Sequence, residues 1–261
     1  MHVIKSSHDY YIKWRIQRPE RFNALGPSLG KELLSLLEDL KNQLRLDKQV
    51  RALVVTAETV ETSRGPIWIA GGDLKELAAL DSKSAAFAYG EMFQNLAQGF
   101  RKLPIPVIMA VDGQAIGGGI EFTLGADIRI ATSRSSLHFK QTQVGLATGY
   151  GGSTLLKELV GLSRATGWLL LNQTVSADDA QIAGLFHQVV PDHNQLESTC
   201  VEWAHHFARQ SPEGLAGQKK MLYPEHEHHD SLKRELNVFA EIWRNPSHST
   251  FLERFTNKTK A

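Results

Sequence analysis

Between Ile105 and Ala131 the chain reads IPVIMAVDGQAIGGGIEFTLGADIRIA, and no other run constrains the fold as strongly. Val107 to Val111 is a short apolar stretch with β-branched ends, bounded by Asp112-Gly113, which predicts a strand ending in a turn. Gly117, Gly118 and Gly119 follow, and Ile120, Phe122 and Leu124 begin a mostly apolar segment that reads as a helix. Amides at a helix start have no intrahelical partner, and glycine, lacking Cβ, lets a ligand oxygen come close to them. Glu121 lies three residues beyond Gly118, one turn along the same face. A carbonyl docked on the Gly118 N–H would therefore have a carboxylate beside its α-carbon. The same residues also fit a packing role, with the glycines letting the helix approach the sheet and Glu121 matching the helix dipole. A phosphate cradle has less support, because neither a GxGxxG run nor a GxxxxGK run ending in Ser or Thr occurs.

The chain has 261 residues, 42% of them hydrophobic, enough for one large or two small domains with a real core. Its 29 basic and 28 acidic residues give no global attraction for nucleic acid or an anionic membrane. Cys200 is the only cysteine, which excludes disulfide scaffolds and cysteine-rich metal sites and fits a reducing compartment. MHVIKSSHDYYIKW at the start lacks a signal or transit pattern, and no run of about eighteen apolar residues appears. The expectation is a cytoplasmic protein with no membrane or nucleic-acid partner.

Tyr11 to Gln17 alternates like a strand, and leucines 29, 33, 36, 37, 40 and 44 have helical spacing over Ser28 to Leu44. Arg51 to Thr56 and Ile67 to Ala70 read as strands, and Ser84 to Leu103 as a long helix before Pro104 and Pro106. Short strands are expected at Asp127 to Ala131 and Leu137 to Phe139, and a helix from Gly151-Gly152 through Val160. Interleaved strands and helices up to Val190 predict α/β with buried, largely parallel strands. Beyond Pro191 only helices are expected, at Gln195 to Arg209, Gly214 to Leu222 and Ser231 to Trp243, followed by a charged tail. This divides the chain into a core, 1–191, and a helical C-terminal region, 192–261. Trp203, Phe207, Phe239, Trp243 and Phe251 would bury a helical face there, within the chain or against another subunit. Histidines 205, 206, 226, 228 and 229 cluster in this region, but neighbouring side chains splay apart on a helix and HExxH is missing, so no metal site is expected.

A second glycine turn, Trp68-Ile69-Ala70-Gly71-Gly72-Asp73-Leu74-Lys75-Glu76, repeats the order strand, glycines, helix. Two such turns could offer two N–H donors to one oxygen. Asp73 and Glu76 have the spacing of a capping pair, as do Ser176 and Asp179 before Ala177 to Ala183.

With these runs in view, the chain resembles the crotonase, or enoyl-CoA hydratase/isomerase, superfamily over essentially its whole length. The resemblance is carried by RPERFNAL at 18–25, AGGDLKEL at 70–77, PVIMAVDGQAIGGGIEFTLGADIRIA at 106–131, GYGGSTLLKELVG at 149–161 and SADDAQIAGLFHQVV at 176–190. It implies a spiral of ββα units with a helical C-terminal trimerisation region, assembled as a homotrimer or a dimer of trimers. Gly72 and Gly118 would supply the oxyanion hole for an acyl-CoA thioester. Coenzyme A would belong to the substrate, with no separate cofactor. Ala70 and the stretch from Gly72 through Asp73 and Leu74 to Lys75 would line its path, together with Gly118, and Arg21, Lys75 and the backbone near Ala24 would meet its adenine or phosphates. Glu121 matches the first of two catalytic glutamates. The second belongs to a segment resembling FGQPEIxLG, read here from Phe139 onward, which puts Gln143 in its place.

An enolate forms on a thioester only where the charge on its oxygen is stabilised, and two preorganised amides do this. Hydration also needs water activated at the β-carbon and a proton at the α-carbon, work commonly divided between two carboxyl groups. Gln143 cannot transfer a net proton at ordinary pH. The expected activity is a hydratase-like lyase acting on a 2-enoyl-CoA. An enoyl-CoA isomerase, an acyl-CoA decarboxylase, or a non-catalytic acyl-CoA- or RNA-binding protein of the same fold remain alternatives. Tyr150 either packs as an aromatic at a helix start or offers its phenol to the site. Burial and the helix start pull the Glu121 pKa in opposite directions.

Overall fold

In the computed structural model, residues 1–47, 49–224 and 228–258 are described, with side chains through Arg254. Strands β1 (Val3–Ser7) and β2 (Tyr11–Ile16) form an antiparallel pair that leads into helix α1 (Pro27–Leu46). Three turns of a strand-strand-helix unit follow. The first contains β3 (Ala52–Ala57), β4 (Ile67–Ile69) and the helices α2 (Leu74–Leu77) and α3 (Lys83–Lys102). The second has β5 (Val107–Val111), β6 (Gln114–Ile116) and α4 (Gly118–Thr123). The third has β7 (Ile128–Thr132), β8 (Ser136–His138), α5 (Gly152–Val160) and α6 (Leu162–Leu170). Strand β9 (Thr174–Ser176), helix α7 (Ala177–Ile182) and β10 (Gln188–Val190) close the sheets. Helices α8 (His193–Ala208), α9 (Pro212–Leu222), α10 (His229–Glu241) and α11 (Pro246–Lys258) complete the chain.

In each unit the first strand joins one sheet and the second another. The large sheet runs β1-β2-β3-β5-β7-β10 and the small one β4-β6-β8-β9. All pairs are parallel except β1 with β2 and β8 with β9. This is the α/β architecture with parallel strands that the interleaving predicts.

The period of two along β3 and β5 divides their side chains between two cores. Leu53, Val55, Val107, Met109 and Val111 enter the main core beneath α1 and α3. Ala52, Val54, Ile108 and Ala110 face the other way, where Leu196, Cys200 and Ala204 of α8 cover them. Trp203 and Phe207 pack at the edge of this second core. Phe239 of α10 and Trp243 in the turn just after it belong to the main core, so both rings are buried within the chain itself.

The expected charged tail is instead helix α11. Asn245 Oδ1 accepts from the amides of Ser247 (2.9 Å) and His248 (3.1 Å), and Pro246 stands at the first helical position. An Asn-Pro start is a strong N-terminal signal, and His248 and Leu252 turn inward from this helix. The three-residue strand β6 also escapes a sequence reading, because Asp112-Gly113 does end β5 yet three residues are too few to show a period.

No helix among the described residues is long and apolar enough to cross a membrane. Among them there is also no group of three or more His, Cys, Asp or Glu side chains that could hold a metal ion. His226 lies outside the described residues, and His205 and His206 are exposed on α8.

Candidate active site

Strands β4, β6 and β8 lie side by side in the small sheet, and each ends in a turn that faces one cavity of about 380 Å³. Gly72 follows β4, Gly118 follows β6, and Gln141 and Gln143 follow β8. Neighbouring strands are about 4.8 Å apart, so topology alone brings the three turns together.

The Gly72 turn is held by a bridge to Leu25. The Leu25 amide donates to the Gly71 carbonyl at 2.6 Å and the Asp73 amide donates to the Leu25 carbonyl at 2.9 Å. This pairing uses both neighbours of Gly72 and leaves its own N–H without a backbone partner among the described residues. Gly118 is the first residue of α4, and its N–H is likewise unpaired among the described residues. The two turns pack edge to edge: a Cβ added to Gly71 would lie 3.5 Å from the Gly118 nitrogen.

The three glycines of the second turn have separate reasons. Gly117 has φ +50° with open space where a Cβ would be, so the backbone conformation itself favours glycine. A Cβ on Gly118 would meet Tyr150 Cε2 at 2.5 Å, and one on Gly119 would meet the Ile69 carbonyl at 2.6 Å. Close packing and an open donor amide are therefore features of the same loop.

Glu121 is 4% exposed and lines the cavity. Its Oε2 accepts from the amides of Gly149 (3.1 Å), Tyr150 (2.8 Å) and Gly152 (3.2 Å) at the start of α5. Its Oε1 accepts from Gln141 Nε2 at 3.1 Å. Burial, followed by the negative charge of Glu235, pushes this carboxyl up to about 7, against the opposing pull of its hydrogen bonds. Desolvation thus wins the competition left open by the sequence.

Gln143 is corrected by this geometry. It is exposed at the edge of the cavity, whereas Gln141 is buried against Glu121. The signal was present: in a motif ending E-I-x-L-G the glutamate stands four residues before the glycine, and counting back from Gly145 gives Gln141. Counting forward from Phe139 gives Gln143, two residues further on.

Tyr150 also lines the cavity. Its ring stacks on Phe93 at 4.6 Å between centroids and touches Gly118, and its hydroxyl is hydrogen-bonded to that of Tyr89. Tyr89 in turn donates to the Leu25 carbonyl at 2.8 Å, so Tyr150 is the donor within the pair. The packed aromatic at the helix start is what the geometry shows, and the single proton of its hydroxyl is directed to Tyr89.

Ala70 and Leu74 line the cavity, while Arg21, Ala24, Asp73 and Lys75 do not. Asp73 is buried. Its Oδ1 caps α2 by accepting from the amides of Lys75 (3.1 Å) and Glu76 (3.3 Å), and its Oδ2 pairs with Arg18 at 3.0 Å. Glu76 does not return the capping bond but reaches Arg18 (3.0 Å) and the Ser28 amide (2.8 Å). Arg21 stands 4.0 Å from Asp73 and Lys75 is exposed. The Ala24 carbonyl accepts from Arg18 at 2.8 Å. Arg18 lies within RPERFNAL, but nothing local marks its role, because its two carboxylate partners are 55 and 58 residues away.

The far wall comes from α10, α11 and the turn between them: Phe239, Trp243, His248 and Phe251. Burial and then Arg244 push the His248 imidazole down to about 4, and its Nδ1 accepts from the Arg244 amide at 3.3 Å, leaving Nε2 to carry the proton.

The enoyl-CoA hydratase/isomerase family model matches residues 10–261. A probable enoyl-CoA hydratase of Bacillus subtilis is 28% identical over 262 aligned positions, covering 100% of this chain and 98% of its own. A probable enoyl-CoA hydratase of Mycobacterium bovis is 33% identical over 209 positions, covering 80% of this chain and 72% of its own. Among solved structures, an enoyl-CoA hydratase from Bacillus anthracis superposes with a TM-score of 0.78 at 26% identity, covering 99% of this chain and 97% of its own. The crystal structure of the Bacillus halodurans enzyme, at 18% identity, shares the fold with a TM-score of 0.86 over 97% of this chain and 100% of its own. With two glycine turns and a buried glutamate at one cavity, and a family match that runs from residue 10 to residue 261, the chain belongs to the enoyl-CoA hydratase/isomerase family.

Proposed function

We propose that the chain is a hydratase-like lyase that adds water across the double bond of a 2-enoyl-CoA. The observation that carries this reading is the buried Glu121 carboxyl beside two unpaired amides, Gly72 and Gly118, on the wall of one cavity. The thioester oxygen would lie on those amides. Glu121 takes a proton from water as the oxygen bonds to the β-carbon, and the π electrons shift to form an enolate whose charge rests on the thioester oxygen. The same carboxyl then returns its proton to the α-carbon as the carbonyl re-forms. Gln141 transfers no proton and serves to orient Glu121 and the water. Arg21 and Lys75, on segments joined to the Gly72 turn, would meet the phosphates of coenzyme A.

Gln141 in place of a second carboxyl favours one other reading, isomerisation, in which Glu121 alone moves a proton between the α- and γ-carbons. Incubation with crotonyl-CoA and a 3-enoyl-CoA separates the two: hydration adds the mass of water, and isomerisation adds none. Product from neither thioester would overturn both.

We further infer a homotrimer or dimer of trimers in the cytoplasm. Support for assembly comes from Leu162, Leu170 and Val238, which are exposed along one groove between α6 and α10.

A further inference from the structure

The amides that open α5 are shared between two buried glutamates from distant parts of the chain. Glu121 takes those of Gly149, Tyr150 and Gly152. Glu235 of α10 takes those of Gly151 (3.1 Å), Ser153 (3.3 Å) and Thr154 (3.0 Å), together with the Thr154 hydroxyl (2.9 Å). The two carboxylates thus interleave on six successive residues. A helix N-terminus carries about half a positive charge, enough to favour one anion but not to neutralise two.

Helix α10 is locked to this turn. A Cβ on Gly149 would lie 2.7 Å from the Phe239 ring and one on Gly90 would lie 2.8 Å from Leu236 Cδ2, so both glycines admit α10 at close range. Gln94 Nε2 donates to the carbonyls of Gly149 and Leu232, each at 3.2 Å, and so ties α3, the turn and α10 together. Glu235 lies one helical turn before Phe239, on the face that closes the cavity.

We infer that Glu235 is a positioning residue for Glu121, fixing the amides that hold it and setting, through its own charge, the pH at which Glu121 exchanges its proton. The inference rests on the reading of Glu121 as the proton-transfer group. The direction of the shift at Glu121, raised by burial and then by Glu235, agrees with it. Of the other titratable or charged groups, Tyr89 on α3 and Tyr150 before α5 feel the Glu121 charge, and Lys140 after β8 and His248 on α11 line the same cavity. Lys157 of α5 and Arg234 of α10 share a groove with Glu235.

The test is an infrared pH titration of the protonated carboxyl band, with Glu121→Gln identifying which band belongs to Glu121. In Glu235→Gln the midpoint of that band falls by about one pH unit, since a like charge has been removed from beside a desolvated acid. The pH profile of crotonyl-CoA turnover moves the same way. An unmoved band overturns the inference. Glu235→Asp keeps the charge and an acceptor for the amides, and serves if the glutamine variant does not fold. Withdrawn by one methylene, it gives an intermediate midpoint, and a midpoint at the wild-type value contradicts the inference equally. Turnover that survives in Glu121→Gln would instead overturn the proposed function, so the two failures are distinct.

Discussion

The Gln141 side-chain amide donates to Glu121 Oε1 across 3.1 Å, so the group facing Glu121 from the β8 turn is neutral. A glutamate there would create two carboxyl groups at hydrogen-bond distance, which titrate as a pair and divide acid and base duties between them. Gln141→Glu is expected to raise crotonyl-CoA hydration by roughly tenfold or more. Gln143→Glu, on an exposed residue at the edge of the cavity, is expected to leave it within about twofold. Steady-state rates of the two variants check this, and the reverse order would restore Gln143 to the position opposite Glu121.

Glu121 also gives stability a pH dependence of definite sign. Its folded pKa is raised from 4.5 to about 7, so the fold favours the protonated form. The stability linked to this group is fully present below the unfolded value and is lost as pH rises through about 7. Glu121→Gln removes that dependence. The melting temperature of the variant should therefore climb relative to the wild type between pH 4.5 and pH 7.5, and a constant difference would contradict the raised pKa.

Arg18 connects the head of the Gly72 turn to the start of the chain. Buried, it bonds to Asp73, Glu76 and the Ala24 carbonyl at once. Arg18→Ala leaves the buried Asp73 carboxylate without its cation and is expected to cost about 3–5 kcal/mol. Chemical denaturation measures this directly, and a loss below about 1 kcal/mol would mean that the α2 cap alone holds the turn.

Tyr150 places a ring against Gly118 and a hydroxyl on Tyr89. Tyr150→Ala should enlarge the cavity and lower KM for longer acyl-CoAs relative to crotonyl-CoA. Tyr150→Phe keeps the ring and should leave that preference unchanged. Equal chain-length profiles in all three proteins would show that the ring does not bound the acyl group.

The glycine turns and Glu121 were legible in the sequence because each sits within a few residues of the strand that positions it. The apolar runs of β3 and β5 and the leucine spacing of α1 were legible for the same local reason. Glu235 was not, since its partners lie more than 80 residues earlier and nothing in SLKRELNVF marks one glutamate as buried. Gln141 was readable from Gly145 but not from Phe139. Helix α11 was missed because its charged residues obscured the Asn-Pro start and the inward His248 and Leu252.

The central claim is that Glu121 moves a proton between water and the α-carbon of a thioester held at the Gly72 and Gly118 amides. Crotonyl-CoA incubated with the protein in heavy water, and followed by mass and by position of the label, tests it most directly. The expected product has gained one molecule of heavy water with one deuterium on the α-carbon, and is formed at least ~100-fold more slowly by a folded Glu121→Gln variant, in keeping with the roughly 10²–10⁴-fold worth of a general acid-base group. An unchanged thioester, or equal rates in the two proteins, would contradict it.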